Sequence, residues 1–148
     1  MTTGADYNRC SVILAVMEKR LGMHLGNQDV HVNVVGGLKL SEPAVDLALA
    51  IACASSFRDR PTDEATVIFG EIGLSGEVRA VAHMEARLKE AAKLGFKNAL
   101  APPVRGGAKD KAAPRIPGIE VREIRHVTEL VALLAAARAE KRPKVTHA

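Results

Sequence analysis

Glu42 and Asp46 are the two side chains whose spacing comes closest to that of a chemical site. They lie one helical turn apart, so their carboxylates could serve acid–base chemistry or bind a metal ion. A structural interpretation is favoured for both. Glu42 stands where the positive end of a helix dipole favours an acid, and Asp46 can pair with a nearby base or a neighbouring subunit. The sequence therefore predicts no catalytic carboxylate pair and no metal site.

The other side chains that could bind a metal or act as nucleophiles have no partner at a suitable spacing. Cys10 and Cys53 belong to no CxxC or Cys/His pattern, so we interpret them as small apolar residues on helices in a reducing compartment. The histidines are scattered along the chain: His24, His31, His83, His126 and His147. Gly36-Gly37 and Gly106-Gly107 lack the strand, helix and lysine of a nucleotide-binding glycine loop. We expect no cofactor in this domain.

Basic residues form two clusters in a chain with a net charge of +4 and a pI near 9.3. One cluster lies in a Pro/Gly-rich stretch and comprises Arg105, Lys109, Lys111 and Arg115; the other, near the end, comprises Arg138, Lys141, Arg142 and Lys144. Neither contains an aromatic residue. Both clusters could bind a polyanion, or they could be solvated lysines and arginines that keep the protein in solution.

The composition indicates one ordinary domain with an aliphatic core. The chain has 148 residues, of which 47% are hydrophobic and only 3% aromatic, so base-stacking platforms for single-stranded nucleic acid are not expected. We see no apolar run long enough to span a bilayer and no signal-peptide pattern. A cytoplasmic location without membrane contact is the expectation.

The elements that would position these side chains alternate between helices and strands. Periodicity predicts helices over 8–21, 43–57, 84–94 and 128–138, and strands over 30–34, 98–101 and 119–124. Asn8 is the predicted cap of the first helix, and Ser41 that of the second. Residues 66–72 and 77–81 are predicted to pair as a β-hairpin around the turn 73–76. Residues 102–117 form a predicted surface loop, and 141–148 a frayed basic tail after a domain spanning 1–140. The fold class is α/β.

Several motifs together carry a resemblance to a known family. They are the strings Leu25 to Val30, Asn33 to Leu38, Glu42 to Ala48, Ala54 to Arg58 and Phe69 to Arg79. The chain resembles the Lon peptidase domain, and within that class the Lon-like C-terminal domain of RadA-type (Sms) bacterial DNA-repair ATPases. The resemblance implies the Lon-like fold, shared with the second domain of ribosomal protein S5, in which helices pack on a mixed sheet.

The peptidase pattern of that class places a serine nucleophile and a lysine base at positions that can be matched here. Gly-Pro-Ser-Ala-Gly falls on residues 42–46, so the serine position is Ala44; the lysine position falls on Glu85, with Arg87 and Lys89 following it. A Ser-Lys dyad requires a hydroxyl in contact with a desolvated amine. The resemblance therefore implies a domain without peptidase activity.

The resemblance also implies partners and a role in recombinational repair. Such proteins carry a zinc motif and a RecA-like ATPase upstream, so ATP, Mg and Zn are expected only there. The implied partners of this domain are DNA, bound through its backbone in branched or unbranched form, further copies up to a hexameric ring, and the recombinase RecA. The candidate DNA contacts are Arg105, Lys109, Lys111 and Arg115, followed by Arg58, Arg60 and Arg79. Two alternatives stay open: a hydrolase with a rearranged site that uses Ser41, and a purely structural oligomerisation domain.

Overall fold

A computed structural model describes residues 1–36, 39–104 and 114–140, with the backbone alone for 136–140. The α/β class is confirmed. The helices are α1 (Tyr7–Leu21), α2 (Asp46–Phe57), α3 (Met84–Lys93) and α4 (Glu129–Glu140), and a 3-10 turn (Pro43–Val45) precedes α2. The strands are β1 (Thr2–Thr3), β2 (Val32–Asn33), β3 (Thr66–Ile68), β4 (Glu71–Ile72), β5 (Val78–Arg79), β6 (Asn98–Ala101) and β7 (Glu120–Glu123). The predicted tail and the centre of the predicted loop, 105–113, lie outside the described residues.

The helices match the predicted segments to within two residues at every end but one. The exception is the start of α2, where residues 43–45 form the 3-10 turn. Helix α1 begins one residue before the predicted start because Asp6, not Asn8, caps it: the Asp6 carboxylate accepts a hydrogen bond from the Arg9 N–H at 2.8 Å. The predicted Asn8 cap is therefore wrong. Gly22 ends the helix with φ 63°, a left-handed conformation that glycine adopts without strain.

The predicted hairpin is only partly correct. Strands β4 and β5 pair antiparallel around the turn, but β3 pairs in parallel with β6, and β6 in parallel with β7. The chain leaves the three-stranded sheet at Gly70, whose N–H donates to the Ala44 carbonyl at 2.8 Å and whose carbonyl accepts from the Leu47 N–H at 3.0 Å. A Cβ at this position would lie 3.0 Å from Val78, so close packing as well as hydrogen bonding explains the glycine.

Strand β1 was not predicted from the sequence. It pairs in parallel with β2, with Thr2 opposite Val32 and Thr3 opposite Asn33. The amino group of Met1 also donates to the Val30 carbonyl at 2.9 Å. These bonds connect the residues before α1 to the residues after it.

Two apolar clusters occupy the two faces of the β3–β6–β7 sheet. Ile68 and Leu100 face a cluster formed with α1, α2 and α4, while Val67, Ala99 and Ala101 face a second cluster formed with α3. This alternation fixes the orientation of each strand, because neighbouring residues point to opposite faces. In the described part of the chain no helix combines the length and apolarity that crossing a membrane requires.

Candidate functional site

Ala44 lies in the 3-10 turn directly before α2. Its side chain is buried, with 3% exposure, and its carbonyl is bonded to Gly70. The nearest preceding hydroxyl belongs to Ser41, which is exposed. The predicted cap by Ser41 is wrong: Glu42 is the cap residue, in an extended conformation and with no side-chain capping bond, because Pro43 begins the turn.

Glu85 lies in the first turn of α3 and points to solvent. Its side chain is 60% exposed and forms an ion pair with Lys89, one turn further on, with Nζ to Oε1 at 2.7 Å. The hydrogen bond from Lys89 lowers the pKa of Glu85 below its ordinary value. The Lys89 ammonium is also mostly exposed and paired, whereas a lysine that acts as a base must be desolvated.

Arg87, on the same helix, connects α3 to the segment before α2. Its guanidinium forms an ion pair with Glu42, donates from Nε to the Ala82 carbonyl at 2.9 Å, and lies 5.9 Å above the centroid of the Phe69 ring. Glu42 precedes the 3-10 turn before α2, as expected for an acid at the positive end of a helix, and it also forms this ion pair, which was not predicted. Sequence reasoning singled out Arg87 only by its position between Glu85 and Lys89, and no local pattern could have identified its partner.

Asp46 pairs with a nearby base, as predicted. The base is Arg9 of α1, whose Nε and Nη2 donate to the two carboxylate oxygens at 2.5 and 2.6 Å, while the Ile72 N–H donates at 3.0 Å. Asp46 is fully buried. The hydrogen bond to Asp46 raises the pKa of Arg9, and the ion pair connects α1, α2 and β4.

The two cysteines differ from activated nucleophiles. Cys10 is buried in α1 and Cys53 is half-buried in α2, and burial is the main cause that raises the pKa of each thiol above its ordinary value. The thiolate is the nucleophilic form of cysteine. Burial therefore makes both side chains less reactive at neutral pH.

Arg58 and Arg60 follow the end of α2. The Arg58 N–H donates to the Ala54 carbonyl at 3.0 Å, and the Arg60 carbonyl accepts from the Ser55 hydroxyl. Arg58 is exposed and Arg60 half-buried. Neither side chain forms an ion pair with any residue that the structure describes.

The other predicted DNA contacts have different surroundings. Arg79 is half-exposed and pairs with Glu77 at 2.7 Å, and this bond lowers the pKa of Glu77. Arg115 is exposed beside a shallow depression that it lines with Lys97, Glu120 and Glu123. Arg105, Lys109 and Lys111 lie outside the described residues. No ion-pair partner among the described residues is shared by the four described candidates.

Comparisons with known proteins agree with the motifs. Residues 8–104 match the model of a family described as "Subunit ChlI of Mg-chelatase". Proteins named DNA repair protein RadA are similar: the one from Synechocystis is 54% identical over 78% of this chain and 23% of its own length. The Bacillus subtilis protein is 51% identical over 87% of this chain and 27% of its own length, and the Listeria monocytogenes protein 56% over 69% and 22%. The chain thus spans about a quarter of these relatives.

Proposed function

Because the chain belongs to the ChlI-type family and, within it, to the Lon-like domains of RadA-type proteins, we propose that it is a non-proteolytic module of a DNA repair ATPase. Its role is to contact the DNA backbone without reading sequence and to hold subunits together in a ring. ATP hydrolysis belongs to other parts of the full-length protein.

The main observation in support of a non-proteolytic domain is the pair of side chains at the positions matched to the Ser-Lys dyad. Ala44 offers a buried methyl group, and Glu85 offers an exposed carboxylate paired with Lys89. Acyl transfer by this route requires a hydroxyl whose proton is removed by a neighbouring unprotonated amine. Arg87 reaches Glu42 from α3 with a permanently charged group, which cannot act as a base.

DNA contact is supported by Arg58 and Arg60 after the end of α2, which form no ion pair with a described residue. Phosphate oxygens bind arginine with charge-assisted hydrogen bonds, and these contacts carry no sequence information. Arg58 and Arg60 are the foremost described candidates, and Arg115 adds to them. Arg79 is a weaker candidate since Glu77 already neutralises it.

Binding of a fluorescent DNA duplex tests this assignment. The double variant Arg58→Gln and Arg60→Gln should bind several-fold more weakly than the parent protein. The control is Arg125→Gln together with Arg122→Gln, which removes the same charge from two exposed positions on and after β7. Equal losses in both variants would show that net charge alone matters and would contradict the assignment. No binding by the parent protein at low salt would favour a structural oligomerisation domain.

The rearranged hydrolase is tested separately. We expect no cleavage of fluorogenic peptides and no labelling by a serine-reactive probe. Labelling of Ser41 that disappears in Ser41→Ala, together with peptide cleavage that is lost in the same variant, would overturn the non-proteolytic assignment.

A further inference from the structure

Two of the three contacts that the structure describes for the Arg87 guanidinium are with uncharged groups. Its Nε donates to the Ala82 carbonyl, and its Cζ lies 5.9 Å from the centroid of the Phe69 ring, which belongs to the buried cluster beneath α3. Neither of these two contacts involves Glu42. The group is therefore held in a fixed direction before any anion reaches it, which lowers the ordering cost of binding one.

The Glu42 carboxylate has fewer contacts than the Arg87 guanidinium. Its side chain is 52% exposed, and Arg87 is its one side-chain partner among the described residues. Ion pairs between solvent-accessible groups are weak, because water screens both charges and ordering of the side chain opposes the attraction. An external oxyanion can thus take the place of Glu42 without leaving a buried charge unpaired.

We propose that Arg87 is a phosphate-binding contact that Glu42 occupies in the absence of DNA. The inference rests on the proposed function for the source of the phosphate, which is the DNA backbone. The guanidinium fork matches phosphate oxygens at least as well as carboxylate oxygens, and Arg87 retains a Nη group for this purpose while Nε stays on Ala82.

Arg87 lies far enough from Arg58 and Arg60 for its contribution to DNA binding to be measured independently of theirs. Glu42 and Arg87 lie near the start of the 12-residue helix α2, and Arg58 and Arg60 follow its end. At a rise of 1.5 Å per residue the two ends are about 18 Å apart. Loss of one contact should leave the other unchanged.

A set of charge-matched variants tests the exchange. Glu42→Gln should tighten binding of a DNA duplex several-fold because it releases Arg87. Glu85→Gln is the control: it removes the same charge two residues from Arg87 in sequence, but it releases Lys89 instead. The additional gain in Glu42→Gln should disappear when Arg87→Lys is added, because lysine keeps the charge but lacks the fork. Equal gains in Glu42→Gln and Glu85→Gln, or a gain that survives Arg87→Lys, would overturn the proposal.

Inorganic phosphate provides a readout that does not depend on DNA binding. Phosphate should raise the melting temperature of Glu42→Gln more than that of the parent or of Glu85→Gln, and Arg87→Lys should abolish this difference. If DNA fails to bind but phosphate acts in this way, the proposed function fails and the phosphate contact stands. If DNA binds through Arg58 and Arg60 but neither probe distinguishes Glu42→Gln from Glu85→Gln, the contact is wrong and the proposed function stands.

Discussion

At the scale of single residues, Asp46 joins α1, α2 and β4 through buried hydrogen bonds. It is the one fully buried charged residue among the described residues, and both its oxygens are occupied by Arg9 while one also accepts from Ile72. We expect Asp46→Ala to lower the free energy of unfolding by about 1–3 kcal/mol, because the buried Ile72 N–H loses its acceptor and Arg9 keeps only Glu71, at 3.9 Å. Urea denaturation measures this directly.

Glu85→Ala is the matched comparison, since it removes one carboxylate from an exposed ion pair whose members lie one helical turn apart. Its cost should be far smaller than that of Asp46→Ala, because water screens both charges of an exposed ion pair. Similar losses for Asp46→Ala and Glu85→Ala would contradict the role given to the buried pair.

Sequence reasoning at this scale could identify the residue but not its partner. The acid at position 46 predicts a nearby base or a neighbouring subunit as its partner. Arg9 is identified as that base only by the packing of α1 against α2. The pair between Glu42 and Arg87 has the same origin, as its members lie on separate elements that approach through tertiary packing. Patterns of local spacing contain no information about such contacts.

At the scale of elements, the turn between β4 and β5 is hydrogen-bonded to the segment before α4. The His126 ring bonds the Ser75 carbonyl at 2.8 Å and lies against Gly76, where a Cβ would come within 2.9 Å of both His126 and Val127. Gly76→Ala should therefore destabilise the protein through crowding as well as through its φ of +88°.

Gly95→Ala separates the two causes, because Gly95 has φ +94° but a methyl group added to it would meet no described atom within 4 Å. We expect Gly95→Ala to cost about 1–2 kcal/mol from backbone strain alone, and Gly76→Ala to cost about 1–3 kcal/mol more from overpacking. Thermal or urea unfolding of both variants is the measurement, and equal destabilisation would show that His126 and Val127 do not confine the turn.

The elements themselves were predictable where a local period exists. Helical spacing identified α1, α2, α3 and α4, and short apolar runs identified β6 and β7. The hairpin prediction was wrong for β3, since alternation marks a strand but not its neighbour, and Gly70 redirects the chain by bonds to residues far away in sequence. Strand β1 is two residues long, too short to carry a pattern.

At the scale of the whole molecule, the α/β class and the family follow from the sequence, while the binding surface does not. The motifs alone indicate RadA-type proteins, and the relatives agree. The candidate DNA contacts rest on charge alone, and the structure distinguishes them by their partners: Arg79 is paired, whereas Arg58 and Arg60 form no ion pair with a described residue. Three of the seven candidates, Arg105, Lys109 and Lys111, remain predictions outside the described residues.

The salt dependence of DNA affinity tests the central claim most directly. Each phosphate contact releases counterions, so the logarithm of the association constant should fall with the logarithm of salt concentration with a slope of about −0.9 per contact. We predict a steep slope for the parent protein and a slope shallower by about 1 for each of Arg58 and Arg60 that is replaced by glutamine. An affinity that does not change with salt, or a slope unaltered in the double variant, would contradict backbone contact by this surface.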